Sequence, residues 1–311
     1  MIRGISRLAA LVALLIVLVG FVSAADFPLE VTDALGNRMT LPEKPASIIS
    51  LSLFSDEVLL SLVEPERFAG ASSLAADPVY SNVAHLASGI EPRVDFNVEQ
   101  IISIFPDVVF AASWSEADKI AQLRSAGLVV YQTNTPFAVD GIKAEIRALA
   151  AIVGEPEAGE ALVAEMERRI EALERAVGDI TGPERAQAID YNTWGTANGA
   201  DTTWNEVLRL AGVDNAAAPF ESGDFGQVPM SKELLVEIDP QAIFLPGYVW
   251  GDDEGAEAFR AQVLNDPAFA GLYAIRNEHV HMVPENLKGT YSHYLVDAAE
   301  FVARRVYPDR F

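Results

Sequence analysis

Three tryptophans, Trp114, Trp194 and Trp250, each stand close behind a run that reads as a β-strand, next to Ser, Gly or Asp. Flat aromatic faces on loops suit a bulky, partly apolar ligand. Phe54, Tyr80, Tyr191, Tyr248 and Tyr291 fall in or beside loops of the same kind, whereas Trp204, among polar residues at a helix start, reads as structural. A second chemistry is offered by His279 and His281, which alternate along a strand pattern and so share one face. Such a pair could hold zinc or manganese, but no third ligand stands at a suitable spacing. His85, in a polar stretch, carries no role. Catalytic signatures are missing: the sequence has no G-x-S-x-G, no G-x-x-x-x-G-K-[ST] and no H-E-x-x-H. The acids Asp252, Asp253 and Glu254 read as a solvated loop rather than a dyad. No catalytic residue, resident cofactor or metal-ligating set is therefore assigned. A cleft enzyme remains the alternative of a different class, since α/β layers host many chemistries, and turnover of a substrate would separate the two. Direct zinc or manganese binding is the other.

Composition narrows the partners. The chain has 311 residues, 22 Lys+Arg against 45 Asp+Glu, a net charge of −23 and no cysteine. That balance opposes nucleic-acid binding, which needs cations to neutralise phosphates. Without cysteine there is no disulfide framework, thiolate metal site, cysteine nucleophile or lipid-bearing cysteine. Only five lysines are present (Lys44, Lys119, Lys143, Lys232 and Lys288). A surface rich in Asp and Glu and poor in Lys keeps a protein soluble in brine, and the acidity is read as that. Half the residues are hydrophobic, enough for a large core. Residues 1–25 combine Arg3 and Arg7, an unbroken apolar run and the small residues Ser23-Ala24-Ala25. Those are the three parts of a secretory signal peptide, so the chain is expected to be periplasmic or secreted, with retention as a membrane anchor the alternative.

The elements that would carry the aromatics alternate. A hairpin over 31–41 turns at Gly36-Asn37, and strand and helix patterns then succeed one another: strand 47–52, helix 57–62, strand 68–71, helix 99–104, strand 108–112, helix 119–126 and strand 128–132. Near-continuous apolar strands alternating with helices predict a parallel sheet covered on both faces. Beyond Gly154-Glu155-Pro156, one helix keeps Leu162, Met166, Ile170, Leu173 and Val177 on a single stripe, with Pro156 suited to its first turn. The strand–helix series resumes from Ala186. The expected organisation is a signal segment (1–25), an N-terminal α/β lobe (26–153), a connecting helix (154–179) and a C-terminal α/β lobe (180–311). An internal echo supports two similar lobes: EQIISIFPDVVF (99–110) aligns without a gap on ELLVEIDPQAIF (233–244), sharing Glu, Ile, Pro and Phe.

These segments resemble the periplasmic binding proteins of ABC importers that carry ferric siderophores, cobalamin and haem. The resemblance rests on ASIISLSLFSDEVLLSLVEPERFAGASS (46–73), FNVEQIISIFPDVVFAAS (96–113), the long helix after GEP (154–156), VPMSKELLVEIDPQAIFL (228–245) and NDPAFAGLYAIRNEHVHMVPENL (265–287). It implies a class III architecture, two Rossmann-like lobes joined by a single long α-helix that permits only a small closure. Ligands of open α/β sheets lie outside the carboxyl ends of the strands. This places 53–55, 72–80, 113–115, 192–198, 247–252 and 284–291 at the cleft, with Phe54, Tyr80, Trp114, Trp194, Tyr248, Trp250 and Tyr291 as expected ligand contacts. The resemblance further implies a monomer that docks on a membrane permease dimer through one acid per lobe, Glu99 and Glu233. The cargo expected is a small-molecule iron chelate, with cobalamin and haem as alternatives. Leu74 stands where cobalamin binders of the family often have an aromatic, and the cleft loops offer few cations for an anionic catecholate, Arg93 and Lys288 being the nearest. An uncharged ferric hydroxamate fits that charge best. Haem would need an axial ligand, for which Tyr80, Tyr291 and His293 are the candidates.

Overall fold

The computed structural model describes residues 26–311; the expected signal segment lies outside the described residues. Among the described residues, no helix is long and apolar enough to cross a membrane. The chain opens with an antiparallel hairpin, β1 (Leu29–Thr32) and β2 (Arg38–Leu41). Its turn is folded by Asp33, whose carboxylate accepts the Leu35 and Asn37 N–H groups, and by Gly36 at φ +82°.

The first lobe contains β3 (Ile48–Ser50), β4 (Phe68–Gly70), β5 (Val108–Ala112) and β6 (Val130–Thr133), an all-parallel sheet in the order β4-β3-β5-β6. Helices α1 (Leu53–Leu60), α2 (Ala84–Ala87), α3 (Val98–Ile104), α4 (Ala117–Ser125) and α5 (Val139–Ile152) belong to it. A single 22-residue helix, α6 (Pro156–Val177), then leads into the second lobe. There β7 (Gln187–Asp190), β9 (Asp214–Asn215), β11 (Ala242–Pro246) and β12 (Val280–Val283) form a second parallel sheet, ordered β9-β7-β11-β12. A small antiparallel ribbon, β8 (Thr196–Asn198) with β10 (Gln227–Pro229), stands beside it. The helices of this lobe are α7 (Thr203–Leu210), α8 (Lys232–Ile238), α9 (Gly255–Asn265), α10 (Tyr273–Arg276), α11 (Glu285–Lys288) and α12 (Leu295–Val306).

The strands read as continuous apolar runs because both sheet faces are buried. Ile48, Val108, Phe110, Ala188 and Phe244 enter one core that runs through both lobes and takes in the α6 and α12 stripes. Their strand neighbours Ile49, Val109, Ile189, Ile243 and Leu245 point the other way, into two lobe-specific cores. Helix α6 buries Val163, Met166, Leu173 and Val177. It lies close on α5 at Gly159, where any side-chain carbon would collide with Ala150. At about 1.5 Å per residue it is a strut of roughly 33 Å.

The echo is a structural repeat. Helices α3 and α8 are each seven residues, capped by Asn97 and Ser231, which accept from Gln100 N (3.1 Å) and Leu234 N (3.1 Å). Each ends on a left-handed residue, Phe105 (φ +52°) or Asp239 (φ +45°), and leads into the strand next to the one that opens its lobe's sheet.

Candidate ligand-binding site

In each sheet the chain runs first to one side of the opening strand and then crosses to the other. The carboxyl ends of β3 and β5, and of β7 and β11, are therefore the switch points where α/β sheets leave a crevice. In the second lobe this crevice is a cavity of about 380 Å³. Asp190 at the end of β7 and Pro246 at the end of β11 form its floor, with Tyr191, Asn192 and Trp194 from the loop after β7. Tyr248 and Trp250 come from the loop after β11, Asn198 and Gln227 from the ribbon, and Glu285, Lys288 and Gly289 from α11 and its end. Across the gap the first lobe contributes Tyr80, whose ring lies 5.7 Å from Tyr248 and 5.8 Å from Trp250.

The wall is polar in an ordered way. The Asp190 carboxylate, almost fully buried, accepts from Asn198 N (2.8 Å), Asn198 Nδ2 (2.6 Å) and Lys288 Nζ (2.7 Å). Gln227 Nε2 donates to Asn198 Oδ1 (2.7 Å), and Thr196 Oγ1 donates to Gln227 Oε1 (2.7 Å). Among the described residues, Lys288 is the single cation of the wall, and it is committed: besides the ion pair, its ammonium sits 4.4 Å from the centre of the Trp204 ring. Glu285 faces the same space, its carboxyl pushed up by burial against the pull of Lys288. Burial also pushes the Tyr80 phenol up, and Tyr248, Glu285 and Asp77 add to it.

Of the seven expected ligand contacts, the cavity gathers Tyr80, Trp194, Tyr248 and Trp250. Trp194 and Trp250 remain 84% and 78% exposed, large apolar surfaces of the kind that mark a binding site. Phe54 is placed elsewhere. Residues 53–55, expected as a loop, form the first turn of α1 behind the Ser52 cap, which turns Phe54 into the core against Tyr291 (rings stacked at 5.5 Å). Tyr291 shares that packing and does not line the cavity; burial pushes its phenol up to about 12. Trp114 is exposed just after β5 and is not among the residues that line the cavity. Leu74 is also outside the wall, and Tyr80 supplies the aromatic of that loop.

Arg93 donates to Ala87 O (2.7 Å) and does not line the cavity. His279 and His281 do share a face, with ring centres 6.3 Å apart, and burial pushes His281 down to about 4. Among the described residues, no three His, Cys, Asp or Glu side chains are grouped to hold a metal ion. His293 is buried on Ser61 Oγ (3.2 Å) and Tyr294. Trp204 is core, as its position at a helix start implied. Glu99 and Glu233 are both exposed in the first turns of α3 and α8 and make no ion pair among the described residues. Sequence reasoning did not single out Asp190, Asn198, Gln227 or Glu285. The ribbon that presents two of them consists of three-residue strands, too short for a periodic signal.

Two parallel α/β lobes, a rigid helix between them and an aromatic–amide cavity at a switch point define a two-lobed solute-binding protein. Residues 48–287 match the periplasmic binding protein family, and the chain belongs to it. It is similar to the "Cobalamin-binding protein" of Halobacterium salinarum, with 26% identity over 83% of this chain and 70% of that one. It is also similar to the "Uncharacterized ABC transporter substrate-binding lipoprotein YvrC" of Bacillus subtilis, 25% identical over 92% of this chain and 87% of the other. Among solved structures, the molybdate-bound periplasmic binding protein MolA of Haemophilus influenzae superposes with a TM-score of 0.75 at 21% identity, covering 91% of this chain and 92% of that one.

Proposed function

We propose that this protein is the extracytoplasmic substrate-binding component of an ABC importer and that its cargo is a bulky, flat metal chelate fringed with amides, a corrinoid of the cobalamin type. The observation that carries this reading is the charge of the wall: two carboxylates, and one cation already paired with one of them. A carboxylate- or oxyanion-bearing ligand such as haem, a ferric catecholate or molybdate would enter without a free positive partner and lose its hydration. Amide-fringed ligands instead meet Asn192, Asn198 and Gln227, while Tyr80, Tyr248, Trp194 and Trp250 offer flat faces to a macrocycle. The similarity to a cobalamin-binding protein agrees with this. For haem, the upward shift of Tyr80 also works against the phenolate an iron ligand needs. An uncharged ferric hydroxamate satisfies the same wall and is the second reading. Ligand-loaded protein docks on the permease through Glu99 and Glu233, matched positions on the two lobes that give a two-fold membrane partner two equivalent contacts.

The test is a thermal-shift and tryptophan-fluorescence titration of residues 26–311 with cyanocobalamin, a ferric hydroxamate, a ferric catecholate, haemin and molybdate. A corrinoid present at a hundred times its Kd should stabilise the fold by about 2.7 kcal/mol and quench the cavity tryptophans. A response to haemin, catecholate or molybdate, with silence to both uncharged chelates, overturns the charge argument.

A further inference from the structure

Among the described residues, the buried carboxylate of Glu57 has no ion-pair partner. Glu57, on α1 of the first lobe, is 1% exposed. Its Oε1 accepts from the Asn82 N–H (3.1 Å) and Asn82 Nδ2 (2.7 Å). Its Oε2 accepts from Ser292 Oγ (2.5 Å) and Thr290 Oγ1 (3.4 Å). Four neutral donors thus converge on one side chain, two from the segment that carries Tyr80 and two from the segment that follows α11. These segments also meet directly: Asn82 Nδ2 donates to Asn286 O (2.9 Å) and Asn286 Nδ2 donates to Asn82 Oδ1 (2.9 Å). Asn286 lies between Glu285 and Lys288, both in the cavity wall.

Burying a carboxylate without a counter-charge costs stability, and an apolar side chain would fill the same space. What an apolar side chain lacks is the capacity to accept hydrogen bonds from two separate segments at once. We propose that Glu57 is a positioning residue for the ligand site: it fixes the Tyr80 segment of the first lobe against the Glu285–Gly289 wall of the second and so sets the opening of the cleft. This rests on the reading of the cavity as the ligand site.

The informative pair of variants is Glu57→Gln and Glu57→Met. Glutamine can turn its oxygen to both Asn82 donors and donate its amide to the Ser292 hydroxyl, which accepts as well as it donates, so it should rescue the register. Methionine fills the volume and strands those partners. Ala121→Cys on α4 and Ala261→Cys on α9 place one exposed spin label on each lobe of a chain with no other cysteine. The interlobe distance can then be read by pulsed electron resonance without any ligand. Wild type and Glu57→Gln should share one narrow distribution, and Glu57→Met should broaden or displace it. Cyanocobalamin should dissociate at least about tenfold faster from Glu57→Met, and within about threefold of wild type from Glu57→Gln. Thr290→Val/Ser292→Ala, which removes the two donors that Glu57 receives from the second segment and leaves Glu57 itself in place, gives the same readout if the methionine variant does not fold. A folded Glu57→Met or Thr290→Val/Ser292→Ala protein with the wild-type distance distribution overturns the proposal. A changed distribution supports it even if cyanocobalamin proves not to bind, a result that would count against the cargo alone.

Discussion

Consider Asp56→Asn, next door to that clamp. Asp56 is wholly buried on α1, and its carboxyl is met by Ser72, through Oγ at 2.5 Å and N–H at 3.4 Å. Burial dominates and raises it from 3.8 to about 7; the Ser72 and Ser50 hydrogen bonds pull back, and the Glu57 charge adds a small push upward. An acid whose folded value lies above its unfolded value takes up a proton on folding. Its contribution is therefore complete below about pH 4 and is lost as pH rises through 7. The loss between those limits is about 4 kcal/mol, a large share of the net stability of a typical domain. Asparagine is neutral throughout. Its oxygen can accept the Ser72 N–H and its amide can donate to Ser72 Oγ, so little else changes. Urea unfolding of residues 26–311 should find the variant within about 1 kcal/mol of wild type at pH 4 and up to about 4 kcal/mol more stable at pH 8. Taking the difference between the two proteins cancels the titrating groups that are not coupled to Asp56, the buried His281 and His293 included, and leaves only the small Glu57 coupling. Two stability curves that run parallel from pH 4 to pH 8 would refute the reasoning, because Asp56 would then ionise as freely in the fold as in the open chain.

Lys288→Met removes the partner of a buried carboxylate and should cost about 3–5 kcal/mol in thermal unfolding, most of it recovered in Asp190→Asn/Lys288→Met. Trp250→Ala should weaken corrinoid binding by up to about tenfold in a fluorescence titration, the loss of one aromatic face. Trp114→Ala, outside the wall, should leave affinity unchanged. Charge reversal at Glu99 or Glu233 should abolish uptake through the cognate permease in reconstituted vesicles while ligand affinity stays at the wild-type value; uptake that survives reversal at both positions removes the docking assignment.

The fold was legible because its strands and helices advertise two-sided burial. Val108–Ala112 was placed residue for residue from the sequence, and α6 from its apolar stripe and Pro156. The cavity was half legible. Aromatic loops behind strand ends point to it, which found Tyr80, Trp194, Tyr248 and Trp250. Phe54 and Tyr291 misled because one turn of helix decides whether a side chain faces the crevice or the core, and the start of α1 lies four residues earlier than the apolar pattern suggested. Asn198 fell within the expected 192–198 loop without being singled out, and Gln227 gave no signal because its alignment with Asn198 comes from tertiary pairing of very short polar strands. Glu57 did carry one: an acid within the apolar run of a helix, where a buried charge needs a reason.

The repeat also explains why the site is lopsided. Ser50 and Asp190 occupy equivalent strand ends, paired with Phe110 and Phe244, which correspond in the internal echo. In the first lobe that position holds a serine whose hydroxyl is satisfied by Ser55 at 2.7 Å, and the nearby carboxylates Asp56 and Glu57 turn inward. In the second lobe the same position holds a carboxylate that organises Asn198 and Lys288 into a wall. On the proposed reading, two lobes built on one plan divide the work: the second recognises the ligand, and the first supplies Tyr80 and the Glu57 clamp that sets the cleft opening. It follows that substitutions in the wall around Asp190 should alter which chelate binds, whereas substitutions around Glu57 should alter how long any chelate stays. A Glu57 variant that changed chelate preference at an unchanged dissociation rate would contradict that division.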